Sequence, residues 1–127
     1  MKYPKEWDLK IYPQEKDLLL SISFGSKPGE YPVAAFISVR KQIKPLDEYV
    51  LSSDSKREWK LTDGDKITID KQIGYYFKDF PGPTVIDYAY IPFNGLLYEL
   101  YTFIDRNDPE KNRRVFNQIL STFRFVP

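Results

Sequence analysis

The 127-residue chain contains no cysteine and no histidine, and both absences exclude chemistry. Without thiols there are no disulfides; without thiols and imidazoles, zinc, iron–sulfur and haem sites built on those ligands are excluded as well. The missing imidazole removes the side chain that ordinarily titrates nearest neutral pH, and with it every Ser-His, Cys-His and His-metal mechanism. An excess of one charge is also lacking: 19 Lys and Arg face 18 Asp and Glu, for a net charge of +1. No global field steers nucleic acid or an acidic membrane surface, and nucleic acid is not an expected partner. No apolar run approaches the ~18 residues of a membrane span, and polar Met1–Trp7 does not read as a signal peptide. What remains is 42% hydrophobic and 17% aromatic, the composition of a folding chain. Its length suits one domain over residues 1–127, able to bury about two-thirds of its unfolded surface.

Short aromatic and β-branched runs separated by Gly, Pro, Asp and Asn punctuate the chain as strands and turns. Trp7–Ile11 reads as a short strand closed by Tyr12-Pro13. Leu18–Phe24 alternates, with Leu18, Leu20, Ile22 and Phe24 on one face, and reads as a half-buried strand. After a loop at Gly25–Gly29, Val33–Val39 is apolar enough for a central strand. Pro45–Leu51 is a short helical candidate, with Leu46, Tyr49 and Val50 at i, i+3 and i+4. Asp63-Gly64 suits a two-residue turn joining Glu58–Thr62 to Lys66–Asp70. Gln72–Thr84, rich in Gly, Pro and aromatics, reads as a long loop. Val85–Phe93 and Leu96–Asp105 form the clearest hairpin, joined by Asn94-Gly95, which tolerates the positive φ of a type I′ turn. Asp108 as N-cap and Pro109 at N1 open a last helix. Its apolar stripe is Val115, Phe116, Ile119, Leu120 and Phe123, opposite Lys111, Arg114, Gln118 and Ser121. Strands, a short helix, hairpins and a final helix imply an α+β fold, an antiparallel sheet covered by helices.

Only carboxylates are left for acid–base work. Asp63 and Asp65 are explained by the turn at Gly64, and no calcium-loop spacing surrounds them. Pairing outward from Asn94-Gly95 sets Asp87 opposite Thr102 and Glu99 opposite Tyr90, so the two acids fall on opposite sheet faces and form no dyad. No serine lies in G-x-S-x-G or S-x-x-K, and Gly25-Ser26-Lys27 lacks the glycine spacing of a P-loop. Arg106, Lys111, Arg113 and Arg114, interleaved with Asp105, Asp108 and Glu110, read as a solvated helix face. These observations predict a non-catalytic domain with no cofactor and no metal. The unusual feature is tyrosine, with 10 in the chain. Tyr75, Tyr76, Phe77 and Phe80 in the expected loop, with Tyr88 and Tyr90 on the hairpin, are the candidate partner surface. Core packing is the simpler account, since Ile86, Tyr88 and Tyr90 share one face and Ala89, Ile91 and Phe93 the other, so that both faces call for cover. A pocket lined by Tyr75, Tyr76 and Tyr88, serving a small-ligand carrier, is the alternative.

The opening Lys2-Tyr3-Pro4-Lys5-Glu6-Trp7 resembles the YP-x-x-W start of bacterial PsbP-like domains. Phe116–Phe125 is similar to their closing F-x-x-I-L-x-T-F-x-F helix, and Tyr90–Tyr98 matches the placement of their penultimate strands. The resemblance implies an α/β/α sandwich. The family includes an extrinsic photosystem II subunit and an import factor that binds the GTPase Ran, and it acts by binding macromolecules. Its metal sites involve His, so none carries over to this chain. It also implies another protein as partner, and an exported or lipid-anchored, extracytoplasmic setting in which membrane contact comes only through an anchor ahead of Met1. A native start at Met1 would instead imply the cytoplasm.

Overall fold

A computed structural model describes residues 8–12, 18–25, 35–51, 58–82, 84–104 and 107–125, the first two segments as backbone. Nine strands and one α-helix follow in chain order: β1 (Asp8–Tyr12), β2 (Leu18–Gly25), β3 (Ala35–Lys41), β4 (Val50–Leu51), β5 (Trp59–Lys60), β6 (Asp65–Ile69), β7 (Gln72–Phe80), β8 (Ile86–Phe93), β9 (Leu96–Phe103) and α1 (Pro109–Thr122). Seven strands form one sheet in the order β1-β2-β3-β9-β8-β7-β6, and β4 pairs with β5. All pairings are antiparallel. Two meanders thus meet at the β3–β9 seam, which makes β3 the interior strand its composition predicts.

The β8–β9 hairpin forms as expected, with Asn94 at φ 51° and Gly95 at φ 74°. The other turn does not. Gly64 has φ −76° and ends a 3-10 turn at Leu61–Asp63, in which Asp63 Oδ2 accepts a 2.8 Å bond from the Lys60 amide. Lys60 and Trp59 then pair with β4, and β6 turns into β7 at Asp70 (φ 47°) and Lys71 (φ 68°). A turn of this shape prefers Asn-Gly; here Asp70 also accepts a 2.8 Å bond from the Phe125 amide, tying the chain end to the turn. Pro45–Leu51 yields only a 3-10 turn at Leu46–Glu48 followed by β4. Leu46, Tyr49 and Leu51 pack on the core without an α-helix, while Val50 is exposed.

The expected loop at Gln72–Thr84 is mostly β7. A bulge between Phe77 and Phe80 inserts one extra residue opposite Tyr88–Ile86, with Asp79 at φ 53°. The bulge resets the alternation, so Phe77 and Phe80 enter the same cluster despite their spacing.

Each face of the sheet has its own core. Under α1, Ala35, Ile37, Ala89, Ile91 and Leu100 pack against Phe116, Ile119, Leu120 and Phe123. Each large side chain so buried contributes about 1.5–3 kcal/mol. On the other face Phe77, Phe80, Tyr90 and Leu97 lie beneath Leu46, Tyr49, Leu51, Trp59 and Leu61. Among the described residues the sheet is therefore covered by one α-helix on one side, and by the β4–β5 pair with two 3-10 turns on the other. This is an α+β fold with an antiparallel sheet, and a helix covers one face of it among the described residues.

Candidate functional site

Asp87 sits mid-strand on β8, directly opposite Thr102, as the hairpin register predicts. It faces α1 and is 0% exposed. A buried carboxylate must be paired, and Arg113 of α1 supplies the charge: its Nε lies 2.9 Å from Asp87 Oδ2 and its Nη2 3.3 Å from Oδ1. The Tyr76 hydroxyl donates to Oδ2, and the Asp79 amide donates to Oδ1 at 2.9 Å. Arg113 also reaches Asp79 Oδ1 at 2.6 Å and Glu110 Oε1 at 3.1 Å. Beside it, Asn112 Nδ2 donates to the Phe103 carbonyl at 2.8 Å and closes the end of β9.

Burial pushes the Asp87 carboxyl up. The bonds from Arg113, Tyr76 and the Asp79 amide outweigh this and leave it below the usual aspartate value. Burial, then Asp87 itself, pushes the Tyr76 phenol well above its ordinary range. The bond to Asp87 raises Arg113 further, against burial. Asp87, Tyr76 and Arg113 thus hold one another in their ordinary protonation states. Arg113 is a correction to the solvated-face reading: it is buried, whereas Lys111 and Arg114 are exposed. Arg106 and Asp105 lie outside the described residues, as does the Ser26–Lys27 part of the rejected P-loop.

The six aromatics expected to form one surface do not. Tyr76 faces α1 and packs on Phe116, while Tyr75, Phe77, Phe80, Tyr88 and Tyr90 belong to the opposite face. Of those five, Phe77, Phe80 and Tyr90 are buried. Tyr75 and Tyr88 are separated from Tyr76 by the sheet, so the three line no common pocket. Tyr75 and Tyr88 are half-exposed, and Tyr88 adjoins the half-exposed rings of Phe36, Tyr101 and Phe103. Cross-strand pairing produces them: β3 sets Phe36 beside Tyr101, and β8 sets Tyr88 on its other side. Phe36 and Tyr101 stack at 4.7 Å, and Tyr88 lies 5.3 Å from both Tyr90 and Tyr101. Phe80 and Phe103 edge onto this row at 5.3 Å from Tyr88 and 5.5 Å from Phe36. The row runs unbroken from buried Phe77 and Phe80 to half-exposed Phe36.

Glu99 lies on this face between Ser38 and Tyr90, and Arg40 Nε bonds its Oε1 at 3.0 Å. Burial raises the Glu99 carboxyl and Arg40 offsets part of that. Burial, followed by Tyr101 and Glu99, pushes the Tyr88 phenol up to about 12. Among the described residues no group of three or more His, Cys, Asp or Glu could hold a metal, and no helix is long and apolar enough to cross a membrane. Comparison with known proteins returns no matching family model, curated protein or solved structure.

Proposed function

We propose that this chain is a non-catalytic binding domain, and that another protein docks on the aromatic row at Phe36, Tyr88, Tyr101 and Phe103. The observation that carries the reading is the continuity of the row beyond its cover. Its buried end lies beneath Trp59 and Leu61, and its other end remains half-exposed on the central strands. Rings already ordered by stacking lose little entropy on binding, and aromatic side chains with an arginine at the margin match the composition of protein interfaces. The carboxylates favour binding over catalysis. Asp87 is committed to Arg113, Asp79 holds Arg113 through one carboxylate oxygen, and Glu99 bonds Arg40 on the neighbouring strand. The carrier reading loses its pocket, because Tyr76 is on the wrong face.

The PsbP-like α/β/α sandwich is the finer proposal for the fold, and the two end motifs are its support. A second helical layer on the sheet face opposite α1 in an experimental structure would establish the sandwich.

Site-specific photo-crosslinking tests the docking reading. A photoreactive phenylalanine analogue at position 36 or 101, expressed in the source cells, should give one discrete protein adduct. The same analogue at position 111, on the exposed side of α1, should give none. Equal labelling from all three positions, or none from 36 and 101, would refute the surface.

A further inference from the structure

Beside the Arg113 hub lies a cleft of about 390 Å³ lined by Lys78, Asp79, Pro81, Val85, Ile104, Pro109 and Arg113. Pro109 and Arg113 of α1 form part of its wall, and its volume falls in the ~300–1,000 Å³ range of small-ligand sites. Four walls are apolar and come from separate stretches of chain: Pro81 after β7, Val85 before β8, Ile104 after β9 and Pro109 at the head of α1. The Ile104 amide bonds the Val85 carbonyl at 2.9 Å and fixes two of these walls together.

The charged lining is unequal in what it can offer. Arg113 is buried and already bonded to three carboxylates. Asp79 is different. Its Oδ1 is held 2.6 Å from Arg113 Nη2, while its side chain remains 55% exposed. No other bond to its carboxylate is found among the described residues, so Oδ2 is available. One guanidinium against Asp79, Asp87 and Glu110 leaves two negative charges in surplus, and Lys78, on the lining, offsets one of them. A small anion would meet this surplus; a cation would relieve it.

We propose that the cleft binds a short aliphatic primary amine, with its ammonium on Asp79 Oδ2 and its alkyl chain against Pro81, Val85, Ile104 and Pro109. The bulge supports this placement, because it is the inserted residue that turns the Asp79 carboxylate to the Arg113 side of β7. The ligand chemistry is an alkylammonium, whether of a free diamine or of a lysine side chain in another protein.

Titration of ¹⁵N-labelled protein, followed by amide chemical shifts, tests the assignment. The probes are pentylamine, cadaverine and Nα-acetyl-lysine amide, with 1-pentanol and pentanoate as controls. Saturable shifts at Asp79, Val85 and Ile104 are expected with the amines, about tenfold tighter than with pentanol, the worth of one charge-assisted contact. Asp79→Asn should abolish that advantage. Glu110→Gln, which lowers the charge surplus from outside the cleft lining, should weaken amine binding two- to threefold by long-range attraction (roughly, for a partly screened charge). Thermal melting establishes that each variant is folded. Tighter binding of cadaverine than of the lysine amide points to a free diamine, and the reverse order to a lysine side chain; either supports the site. Pentanol or pentanoate binding as tightly as pentylamine, an unchanged affinity in folded Asp79→Asn, or shifts confined to other regions would overturn it.

Discussion

Arg113→Met keeps an apolar stem against the sheet but removes the cation bonded to Asp87. The Asp87 carboxylate, 0% exposed in the parent, then keeps only the Tyr76 hydroxyl and the Asp79 amide as partners. Deleting one member of a buried ion pair costs about 3–5 kcal/mol. The two remaining donors place the expected loss near the lower bound, about 3 kcal/mol, and the exposed contacts to Asp79 and Glu110 add at most ~1 kcal/mol each. A midpoint shift of roughly 10 °C should follow in a chain of this size. Urea unfolding monitored by tryptophan fluorescence at two pH values checks the cause as well as the size. In the parent, the Asp87 carboxyl is held below its ordinary value. Its contribution is therefore fully present above about pH 4 and is lost as pH falls through that lower folded value. Without Arg113 the largest of the influences lowering the Asp87 carboxyl is gone, so its folded pKa rises and the variant lacks much of the stability that the parent gains as pH rises. The stability gap between parent and variant must widen from pH 3.5 to pH 7. The combined change Tyr76→Phe, Asp87→Leu, Arg113→Met should recover most of the loss, since apolar replacement of a buried ionic cluster is often neutral. A loss under about 1 kcal/mol for Arg113→Met, or a gap that is the same at both pH values, would refute the reasoning.

Glu99→Gln should behave in the opposite sense. Burial raises the Glu99 carboxyl, so its contribution is present below about pH 4.3 and is lost as pH rises through the folded value; thermal melts should show the variant gaining on the parent between pH 4 and 7, and a loss over that interval would contradict the assignment. Two glycine replacements separate steric from backbone causes. A β-carbon at Gly74 would lie 2.8 Å from the Tyr90 carbonyl oxygen and 2.9 Å from Ile91 Cγ1, within the fixed ladder, so Gly74→Ala should cost about 2–3 kcal/mol. At Gly95 a β-carbon meets nothing within 4 Å, and only its φ of 74° is strained, so Gly95→Ala should cost about 1 kcal/mol; denaturant melts giving equal losses would remove the distinction.

The parts of the fold that were legible are those where local chemistry leaves one solution. Asn94-Gly95 meets the positive-φ demand of its turn, and Pro109 with the Val115–Phe123 stripe marks both the start and the buried face of α1. The register of β8 against β9 then follows by counting, and it places Asp87 and Glu99 on opposite faces. Where expectation failed, the usual regularity was absent. Tyr75, Tyr76 and Phe77 show no alternation because both faces of β7 are covered, and the bulge at Asp79 breaks the parity that remains. Asp70-Lys71 turns the chain without a glycine, while Asp63-Gly64, the better turn sequence, closes a 3-10 turn with Gly64 at negative φ. The hub was missed for a different reason. Asp87 interrupts a strand that is apolar on both faces, and such an acid requires a partner. Arg113 lies three residues before Phe116, on the inward stripe of α1, yet its charge suggested solvent and its neighbours Lys111 and Arg114 reinforced that impression. Helical spacing was the better guide, because the apolar stem of an arginine packs readily while its head finds a buried acid. The tyrosine count, conspicuous in the sequence, is divided by the sheet between two environments. The single aspartate in an apolar strand was the more specific sign, since burying it was possible only where α1 could bring a guanidinium to it.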